Sequence, residues 1–532
     1  MFPKTTPKFL AFSAAILLAA AFHSAGQETN RVISADLHQI KGPRSMTWQD
    51  CVGAGRVAEG LRDTWRRQLE ECHREIGFKY IRMHGLLQDE LGVYSEDRDG
   101  KPRYNWQYID DVYDFLLSIG MKPFVEIGFM PNALASGSGK IFWWNANVTP
   151  PNNYEKWDAL ITALVKHWTV RYGEDEVKTW RFEIWNEPNY PGFWHPPTSS
   201  TPRDAYFDLY EHTARAIKSV SANYAVGGPA GAGPVWTAQL IDFCQQWNIP
   251  IDFISYHCYG LGDGPSGLDQ YGNRKLYLSK NIHSVADGVN SQRPIIEKSA
   301  KPGLPIYITE WSASYSPRDP VHDSYFSAAF ILEQLRRTEA VSAMSYWTFT
   351  DIFEENGPPP RPFHGGFGLI NEQGIRKPAF WAYEFLAKLG GTELKNDDAS
   401  SYVCTDSRGG VQVLLWDITH PTNGKVSNQD YFFHPHPPRE KGNVIVKLKN
   451  VEPGNYRLTI YQIGYQKNDP YSRYLVMGQP TDIDRETVAA LKKFSDGRPE
   501  SEKVVSVNTD GSFETTLPLR ENDVFLLSLA RE

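Results

Sequence analysis

The chain has 532 residues, of which 41 % are apolar and 22 % charged, and this composition excludes a disordered chain, a collagen-like fibre and a small disulfide scaffold. Its 63 acidic and 55 basic residues give a formal charge of −8, which argues against a nucleic-acid partner because such proteins carry a basic footprint. At about 150 residues per domain, the length predicts more than one folding unit.

The first 26 residues are typical of a secretory signal peptide. Lys4 and Lys8 provide a positive start, an apolar run extends from residue 9 to 22, and small residues precede Gln27. The run is short for a transmembrane helix, and the rest of the sequence has no longer apolar stretch. We therefore expect an exported protein, periplasmic or secreted, without stable membrane insertion after cleavage. An uncleaved membrane anchor is the alternative.

The five cysteines are widely spaced and form no CxxC pair, so they do not indicate a structural zinc site. An exported protein could form a disulfide bond. Burial of the cysteines as small apolar side chains is the simpler interpretation.

From about residue 44 onward, helical and strand-like segments alternate. In the first helical segment Leu61, Trp65, Leu69 and Ile76 recur at helical spacing before Gly77. We predict strands near 46–52, 80–83, 124–127, 180–185, 225–228, 253–256, 305–309 and 343–349. Further helices are predicted near 153–171, 203–220, 236–247 and 323–339. Eight such units predict a (β/α)8 TIM barrel, with 260–303 as a loop over its mouth plus a helix.

After about residue 390 the pattern changes to alternating apolar residues separated by turn signals, which predicts a β-sandwich. The expected organisation is an α/β barrel with an appended C-terminal β-sandwich domain. Its segments are the signal peptide 1–26, an N-terminal strand in 27–43 that joins the sandwich, the catalytic barrel 44–360, and a linker with the sandwich in 361–532.

Two glutamates follow predicted barrel strands at the end where barrel active sites lie. Strand four runs into Asn186-Glu187-Pro188, and strand seven ends at Glu310. Cleavage of a glycosidic bond needs two opposed carboxyl groups, one to protonate the leaving oxygen and one to attack or stabilise the anomeric carbon. Asn186 can hold the sugar hydroxyl beside that carbon. Glu126 and Glu183 also lie on strands, where charge pairing inside the barrel explains them equally well.

Other polar residues end neighbouring strands. His84 ends strand two and His257 ends strand six, and each is explained either by a ligand contact or by a hydrogen-bonded core histidine. Glu354 and Glu355 follow strand eight, where they bind sugar hydroxyls or form a solvated pair.

Two motifs point to a known clan. FEIWNEPN at 182–189 and YITEW at 307–311 resemble the retaining glycosidases that carry the acid/base on strand four and the nucleophile on strand seven. The resemblance narrows to glycoside hydrolase family 39, the β-xylosidase and α-L-iduronidase family, through CVGAGR at 51–56, SYHCYG at 255–260, SYWTFTDIFEE at 345–355 and HGGFGLI at 364–370. The match spans the barrel and implies the sandwich.

This resemblance implies roles for individual residues. Glu187 would be the general acid/base, Glu310 the nucleophile, and Asn186 the partner of the 2-hydroxyl. The subsite for the non-reducing sugar would be lined by His84, His257, Tyr259, Trp347, Glu354 and Glu355. The scheme requires no metal ion and no cofactor.

The substrate expected from the resemblance is a neutral sugar. The iduronidase branch needs cationic residues near the end of strand six, and Cys258–Asp263 contains no Lys or Arg. We therefore expect a retaining enzyme that releases xylose from the non-reducing end of plant-type oligosaccharides. Alternatives are an α-L-arabinosidase, a β-glucosidase, a β-galactosidase, or a secreted carbohydrate-binding protein without catalysis. An oligomer is compatible with the sequence.

Overall fold

The computed structural model describes residues 30–338 and 340–532. The predicted signal peptide, residues 1–26, lies outside the described residues. Within the described part of the chain, no helix is both long enough and apolar enough to cross a membrane.

Eight parallel strands close into a barrel, which confirms the predicted fold class. In chain order, the barrel strands one to eight are Cys51–Arg56, Tyr80–His84, Lys122–Ile127, Arg181–Ile184, Ala225–Gly231, Phe253–Tyr259, Ile306–Ser312 and Ala343–Tyr346. The ring closes where Tyr346 of strand eight pairs with Val52 of strand one.

A helix follows each barrel strand and packs on the outside. The helices are Asp63–Ile76, Gln107–Ser118, Tyr154–Tyr172, Pro202–Val220, Thr237–Gln246, Ser284–Asn290 with Arg293–Glu297, Phe326–Arg337 and Pro378–Ala387. The first of them ends at Gly77, which adopts φ 86° and donates its N–H to the carbonyls of Cys72 and His73. This left-handed position favours glycine because a Cβ atom would be strained there.

The first barrel strand lies later in the chain than the sequence predicts. The predicted strand near 46–52 is a short helix, Thr47–Asp50, followed by the strand Cys51–Arg56. The helix is held by a distant contact, because the Gln49 side chain donates to the carbonyl of Ile76 at 2.7 Å. Local sequence carries no signal for that contact.

The eighth barrel helix, Pro378–Ala387, lies beyond residue 360, the predicted end of the barrel. Its Tyr383 ring contacts the rings of Trp48, Phe78 and Tyr346 at centroid distances of 6.0, 5.4 and 5.6 Å. The barrel therefore extends to this helix.

Two sheets form the appended β-sandwich. One sheet has three strands, Arg31–Asp36, Glu440–Lys449 and Phe513–Arg520, and the other has seven strands, Ile40–Pro43, Thr392–Leu394, Ser401–Thr405, Val411–Trp416, Gly454–Ile463, Ser501–Val507 and Val524–Arg531. Arg31–Asp36 and Ile40–Pro43 precede the barrel in sequence and each pairs with a sandwich strand. Helices Asn428–Phe432, Pro470–Val476 and Arg485–Phe494 accompany these sheets.

The interior of the barrel has an aromatic floor. Arg181 of strand four lies over the rings of Tyr80 and Tyr307 at 4.1 and 4.4 Å and pairs with Asp50. The next layer towards the carboxyl ends of the strands is polar and supports the site described below.

The segment after strand six is held in place by hydrogen bonds to a helix that accompanies the sandwich sheets. It contains the short pair Leu261–Gly262 and Tyr277–Leu278. The N–H groups of Leu276 and Leu278 donate to the side chains of Gln429 and Asn428 at 2.8 and 3.1 Å. Asn428 in turn donates to Asp319 in the loop after strand seven at 2.8 Å. The loop predicted over the barrel mouth is thus held by the helix Asn428–Phe432, which is itself bound to the loop after strand seven.

All five cysteines are buried and free. Burial raises the pKa of the thiol to about 12 for Cys51, Cys244, Cys258 and Cys404, and well above its ordinary range for Cys72.

Candidate active site

A cleft of about 670 Å³ opens at the carboxyl end of the barrel strands. Most of the residues singled out from the sequence line it together, namely His84, Asn186, Glu187, His257, Tyr259, Glu310, Trp347 and Glu355. Glu354 does not line it.

Glu310 at the end of strand seven is held by donors on both oxygens. Arg82 Nη1 donates to Oε1 at 2.8 Å, and the hydroxyl of Tyr259 donates to Oε2 at 2.6 Å. The residue is only 5 % exposed. A carboxylate with a guanidinium on one oxygen and a phenol on the other is stabilised in its ionised form and has a fixed orientation.

Glu187 lies in a strained turn after strand four. Trp185 and Glu187 have φ angles of 70° and 45°, a region that costs a non-glycine residue about 1–3 kcal/mol. Tertiary hydrogen bonds maintain the turn, since Trp185 N–H donates to the carbonyl of Ile127 and Glu187 N–H to that of Ala230 at 3.1 and 2.8 Å. Such strain is typical of positions where orientation matters for function.

His257 lies between the two glutamates. Its Nδ1 is 2.8 Å from Oε1 of Glu187 and 3.5 Å from Oε2 of Glu310. One carboxyl oxygen of each glutamate and a ring nitrogen of His257 all lie within 4.8 Å of one another. Burial lowers the pKa of His257 well below its usual range, and the charge of Arg82 acts in the same direction. A neutral imidazole thus separates the two carboxyl groups.

The environments of the two carboxyl groups assign the proton. Burial raises the pKa of Glu187 well above its ordinary value, and the nearby charge of Glu310 raises it further. The charge of Arg82 opposes this rise, but Arg82 donates its hydrogen bond to Glu310 and not to Glu187. Burial also raises the pKa of Glu310, but the charge of Arg82 and the hydrogen bond from the Tyr259 hydroxyl oppose that rise. When two close carboxyl groups share one proton, the group without a cationic partner keeps it. These environments favour the proton on Glu187 and the charge on Glu310.

Arg82 of strand two organises the polar layer under the cleft. It is fully buried and donates to Glu183 and Asn186 at 2.5 and 2.8 Å, and its guanidinium also lies 2.9 Å from Glu126. Burial disfavours its charged form, but the surrounding carboxylates raise its pKa above the ordinary arginine value. Charge pairing inside the barrel, one of the two interpretations considered for Glu126 and Glu183, is what the structure shows.

Asn186 and His84 are oriented by this layer. The Oδ1 atom of Asn186 accepts from Arg82, so its Nδ2 group is the donor that the residue can offer a substrate. His84 Nδ1 lies 2.7 Å from Glu126, and its Nε2 lies 3.6 Å from Glu310 and 3.7 Å from Glu355. Burial lowers the pKa of His84 to about 3, so the imidazole is neutral.

Trp347 and Glu355 complete this side of the cleft. The Trp347 ring packs 4.8 Å from the ring of His84 and lies under the Arg82 guanidinium at 5.7 Å. Burial and the charge of Glu310 raise the pKa of Glu355 well above its ordinary value. A flat indole beside hydroxyl-binding groups suits a sugar ring, which has both apolar faces and polar edges.

Glu354 differs from its prediction as a sugar-binding residue. Its carboxylate accepts hydrogen bonds from Arg62 at 2.7 and 2.8 Å and from the buried Arg56 at 2.9 Å. Arg56 also pairs with Glu59, which is fully buried and whose pKa burial raises to about 8. These ion pairs turn Glu354 away from the cleft, so only one residue of the Glu354–Glu355 pair lines it.

Several residues that line or support the cleft are absent from the sequence-based set. They are Arg82, which supports Glu310, and the cleft-lining residues Phe142, Tyr190, Phe193, Arg274 and Tyr315. Arg82 had a usable signal, because alternate strand residues face the same side and His84 two positions later points to the barrel axis. The others lie on loops, whose side-chain direction has no periodic signal.

Glu187, His257 and Glu310 are also spaced as metal ligands would be. However, Arg82 and Tyr259 already occupy both oxygens of Glu310, and a cation placed there would lie close to the buried guanidinium. The donor set fits an acid and a nucleophile better than a metal site. That no metal or cofactor is needed stays a prediction.

Comparison with known proteins gives a consistent result. The family model described as glycosyl hydrolases family 39 matches residues 32–514. A β-xylosidase of Geobacillus stearothermophilus is 37 % identical over 492 residues, covering 91 % of this chain and 92 % of that protein.

Two solved structures are similar over nearly the whole chain. The GH39 enzyme from Xanthomonas axonopodis pv. citri has a TM-score of 0.90 at 40 % identity, covering 96 % of this chain and 99 % of that one. A monomeric β-xylosidase from Caulobacter crescentus CB15 has a TM-score of 0.89 at 42 % identity, covering 94 % and 99 %.

Proposed function

The chain belongs to glycosyl hydrolase family 39, as its motifs indicated, and we propose that it is an exo-acting retaining β-xylosidase whose acid/base is Glu187 and whose nucleophile is Glu310. The observation that carries the assignment is the spacing of these two residues, whose nearest carboxyl oxygens lie within 4.8 Å. Retaining glycosidases have carboxyl groups about 5–5.5 Å apart, whereas inverting enzymes need about 6.5–9.5 Å to admit a water molecule.

In the first step, Glu310 attacks the anomeric carbon while Glu187 transfers its proton to the leaving oxygen. The new C–O bond forms a glycosyl-enzyme and the glycosidic bond breaks. Glu310 then carries no charge, so the pKa of Glu187 falls and Glu187 can accept a proton from water. That water attacks the anomeric carbon, frees Glu310 and gives a product with the starting configuration.

The two catalytic strands divide the barrel mouth into two halves. One half lies above strands eight, one, two and three and contains His84, Trp347 and Glu355. It is enclosed because the N–H of Trp143, in the loop after strand three, donates to the carbonyl of Glu355, in the loop after strand eight, at 2.7 Å. We assign this enclosed half to the terminal sugar, and its wall supports release of single residues from the non-reducing end.

The other half, beyond strands five and six, receives the leaving group. It is lined by residues that are more open to solvent, among them Pro234 and Arg274. His257 of strand six contacts Glu187 from this side, which suits an acid that protonates the leaving oxygen.

Xylose as the released sugar is supported by the names of the relatives at 37 % and 42 % identity. The enclosed half also lacks a Lys or Arg among its described lining residues, so nothing there would pair with the carboxylate of a terminal uronic acid. We propose unsubstituted glycosides and oligosaccharides with a terminal β-xylose as substrates.

Anomeric configuration tests this proposal. Hydrolysis of an aryl β-xyloside followed by proton NMR should show β-xylose as the first product, with α-xylose appearing later by mutarotation. First formation of α-xylose would contradict the retaining mechanism. Faster turnover of aryl arabinosides, glucosides or galactosides than of the xyloside would contradict the sugar assignment.

We also propose export of the protein, on the basis of the charged start and apolar run in residues 1–26. N-terminal sequencing of protein recovered from the periplasm or medium should begin at Gln27. Recovery of the intact N-terminus in the cytosol or in membranes would contradict it.

A further inference from the structure

Arg274 is the only Lys or Arg among the described residues that line the cleft, whose titratable side chains also include Glu187, Glu310 and Glu355. It belongs to the segment after strand six, on the C-terminal side of Cys258–Asp263. It therefore lies on the leaving-group side of the catalytic pair.

The guanidinium of Arg274 is exposed and has no hydrogen bond or ion pair with any residue that the structure describes. This distinguishes it from Arg56, Arg82 and Arg181, each of which pairs with a carboxylate. An unpaired arginine beside a substrate cleft is available to a carboxylate of the substrate.

The backbone around Arg274 is held in place. Arg274 forms a bridge with Leu268, and the N–H of Lys275 donates to the carbonyl of Gly267 at 2.8 Å. The Lys275 ammonium pairs with Asp430 at 2.7 Å, in the helix that also binds Leu276. The base of the arginine is thus positioned, while its charged end stays free.

The loops after strands four and seven add exposed aromatic surfaces to the cleft. Tyr190 and Tyr315 line the cleft and are 52 % and 49 % exposed. Exposed tyrosines provide flat apolar faces at low cost in side-chain entropy. A leaving group longer than one sugar would therefore meet both stacking faces and a cation.

We propose that Arg274 selects leaving groups that carry a uronic-acid carboxylate, so that the enzyme acts on acidic xylo-oligosaccharides with an unsubstituted terminal xylose. This rests on the proposed β-xylosidase function. The guanidinium would bind the carboxylate through two N–H donors, while the terminal xylose occupies the enclosed half.

The test compares two substrates that differ only in charge. One is a xylo-oligosaccharide whose second residue carries a hexuronic acid, and the other is the same compound with that carboxyl group reduced to an alcohol. For the wild type we expect kcat/KM to favour the acid by about fivefold, the upper range for a solvent-exposed ion pair. The preference should shrink in 0.5 M salt because an exposed pair is screened, with a Debye length of only about 3–10 Å above 0.1 M.

Variants assign the effect to Arg274. The ratio of kcat/KM for the acid to kcat/KM for the alcohol should fall to about one in Arg274→Gln and be partly kept in Arg274→Lys. Lys280→Gln, which removes an exposed charge from the same segment outside the cleft, should keep the wild-type ratio. A ratio near one in the wild type, or an unchanged ratio in Arg274→Gln, would overturn the proposal. So would release of a terminal uronic acid that depends on Arg274.

Binding separates this proposal from the proposed function. Both compounds are titrated calorimetrically into Glu310→Gln, with and without Arg274→Gln. An Arg274-dependent preference of these variants for the acid, together with no xylose release from either compound by the wild type, would contradict the β-xylosidase function and leave the arginine site supported. Xylose release by the wild type without any preference for the acid would support the β-xylosidase function and contradict the arginine site.

Discussion

The hydroxyl of Tyr259 donates a 2.6 Å hydrogen bond to Oε2 of Glu310. Two residues earlier on the same strand, His257 contacts Glu187 at 2.8 Å. Strand six therefore supports both of the carboxyl groups that we propose to be catalytic, and its contact with each group can be altered separately.

Removing the Tyr259 hydroxyl should destabilise the ionised form of Glu310 relative to its protonated form. The Tyr259 hydroxyl lowers the pKa of Glu310 in the wild type, so this pKa should rise in Tyr259→Phe. The acidic limb of the kcat/KM profile should move to higher pH. At optimum pH, kcat/KM should fall about 10- to 100-fold, as expected for a hydrogen bond to a charged group.

Tyr256→Phe is the matched control. The Tyr256 hydroxyl is also buried but donates to the carbonyl of Val289, away from the cleft. This variant should lose some stability and keep the wild-type pH profile. An acidic limb that does not move in Tyr259→Phe would contradict the role given to the hydrogen bond.

Replacing the proposed proton donor, Glu187, should make activity depend on the leaving group. In Glu187→Gln, kcat/KM for xylobiose should fall at least about a hundredfold more than kcat/KM for a dinitrophenyl β-xyloside, because a good leaving group needs little protonation. The basic limb of the pH profile, which reports loss of the Glu187 proton, should disappear. Equal losses on the two substrates would argue against Glu187 as the acid.

Glu354 and Glu355 should respond differently to substitution although they are adjacent. Glu355→Ala removes a cleft-lining carboxyl group but keeps the backbone carbonyl that binds Trp143, so kcat/KM should fall about 10-fold or more with little change in unfolding temperature. Glu354→Gln should instead lower the free energy of unfolding by about 1–3 kcal/mol, because the buried Arg56 loses a partner.

Kinetics and thermal unfolding of the two glutamate variants decide between these roles. If Glu354→Gln impaired catalysis as strongly as Glu355→Ala while leaving stability unchanged, the sequence-based assignment of both residues to the sugar would be correct.

A buried ion cluster supports the loops that follow strands seven and eight. Lys377 is fully buried and pairs with Asp323 and Asp351, also fully buried, at 2.9 and 3.1 Å. Its ammonium also donates to the carbonyl of Gly366 at 2.8 Å, in the HGGFGLI motif. Lys377→Met should lower the free energy of unfolding by about 3–5 kcal/mol at neutral pH, because two carboxylates stay buried without their cation.

The effect of Lys377→Met should depend on pH. Burial raises the pKa of Asp351 to about 6 despite Lys377, and loss of the lysine raises it further. A carboxyl group with a raised pKa stabilises the fold below its ordinary pKa and loses that contribution as pH rises through the folded-state value. Urea unfolding should therefore show a larger loss at pH 8 than at pH 5.

The control is Lys178→Met, which removes an exposed lysine paired with the exposed Asp175. It should leave the unfolding midpoint near that of the wild type. Equal losses at both pH values in Lys377→Met would contradict the cluster as described.

The parts of the fold with a strong period were predictable from the sequence. The helix Tyr154–Tyr172 and the strand beginning at Tyr80 follow from apolar spacing, and Glu187 and Glu310 follow from their places near strand ends. The helix Thr47–Asp50 was not, because Gln49 is held by a contact with Ile76 far along the chain.

The direction of side chains in loops could not be predicted from the sequence either. Glu354 and Glu355 look alike in the sequence, and only the position of Arg56 and Arg62 in space separates them. Arg274 lies on a loop whose path is set by the sandwich-side residues Asn428 and Gln429, so its place in the cleft depends on a contact between distant segments.

The roles of the two catalytic glutamates are tested most directly by the configuration of the glycosyl azide formed by their alanine variants. With an activated aryl β-xyloside and azide, Glu310→Ala should yield α-xylosyl azide, because azide replaces the missing nucleophile in a single inversion. Glu187→Ala should yield β-xylosyl azide, because azide intercepts the glycosyl-enzyme on Glu310. The opposite pairing of variant and product would reverse the roles, and rescue of neither variant would contradict the catalytic pair.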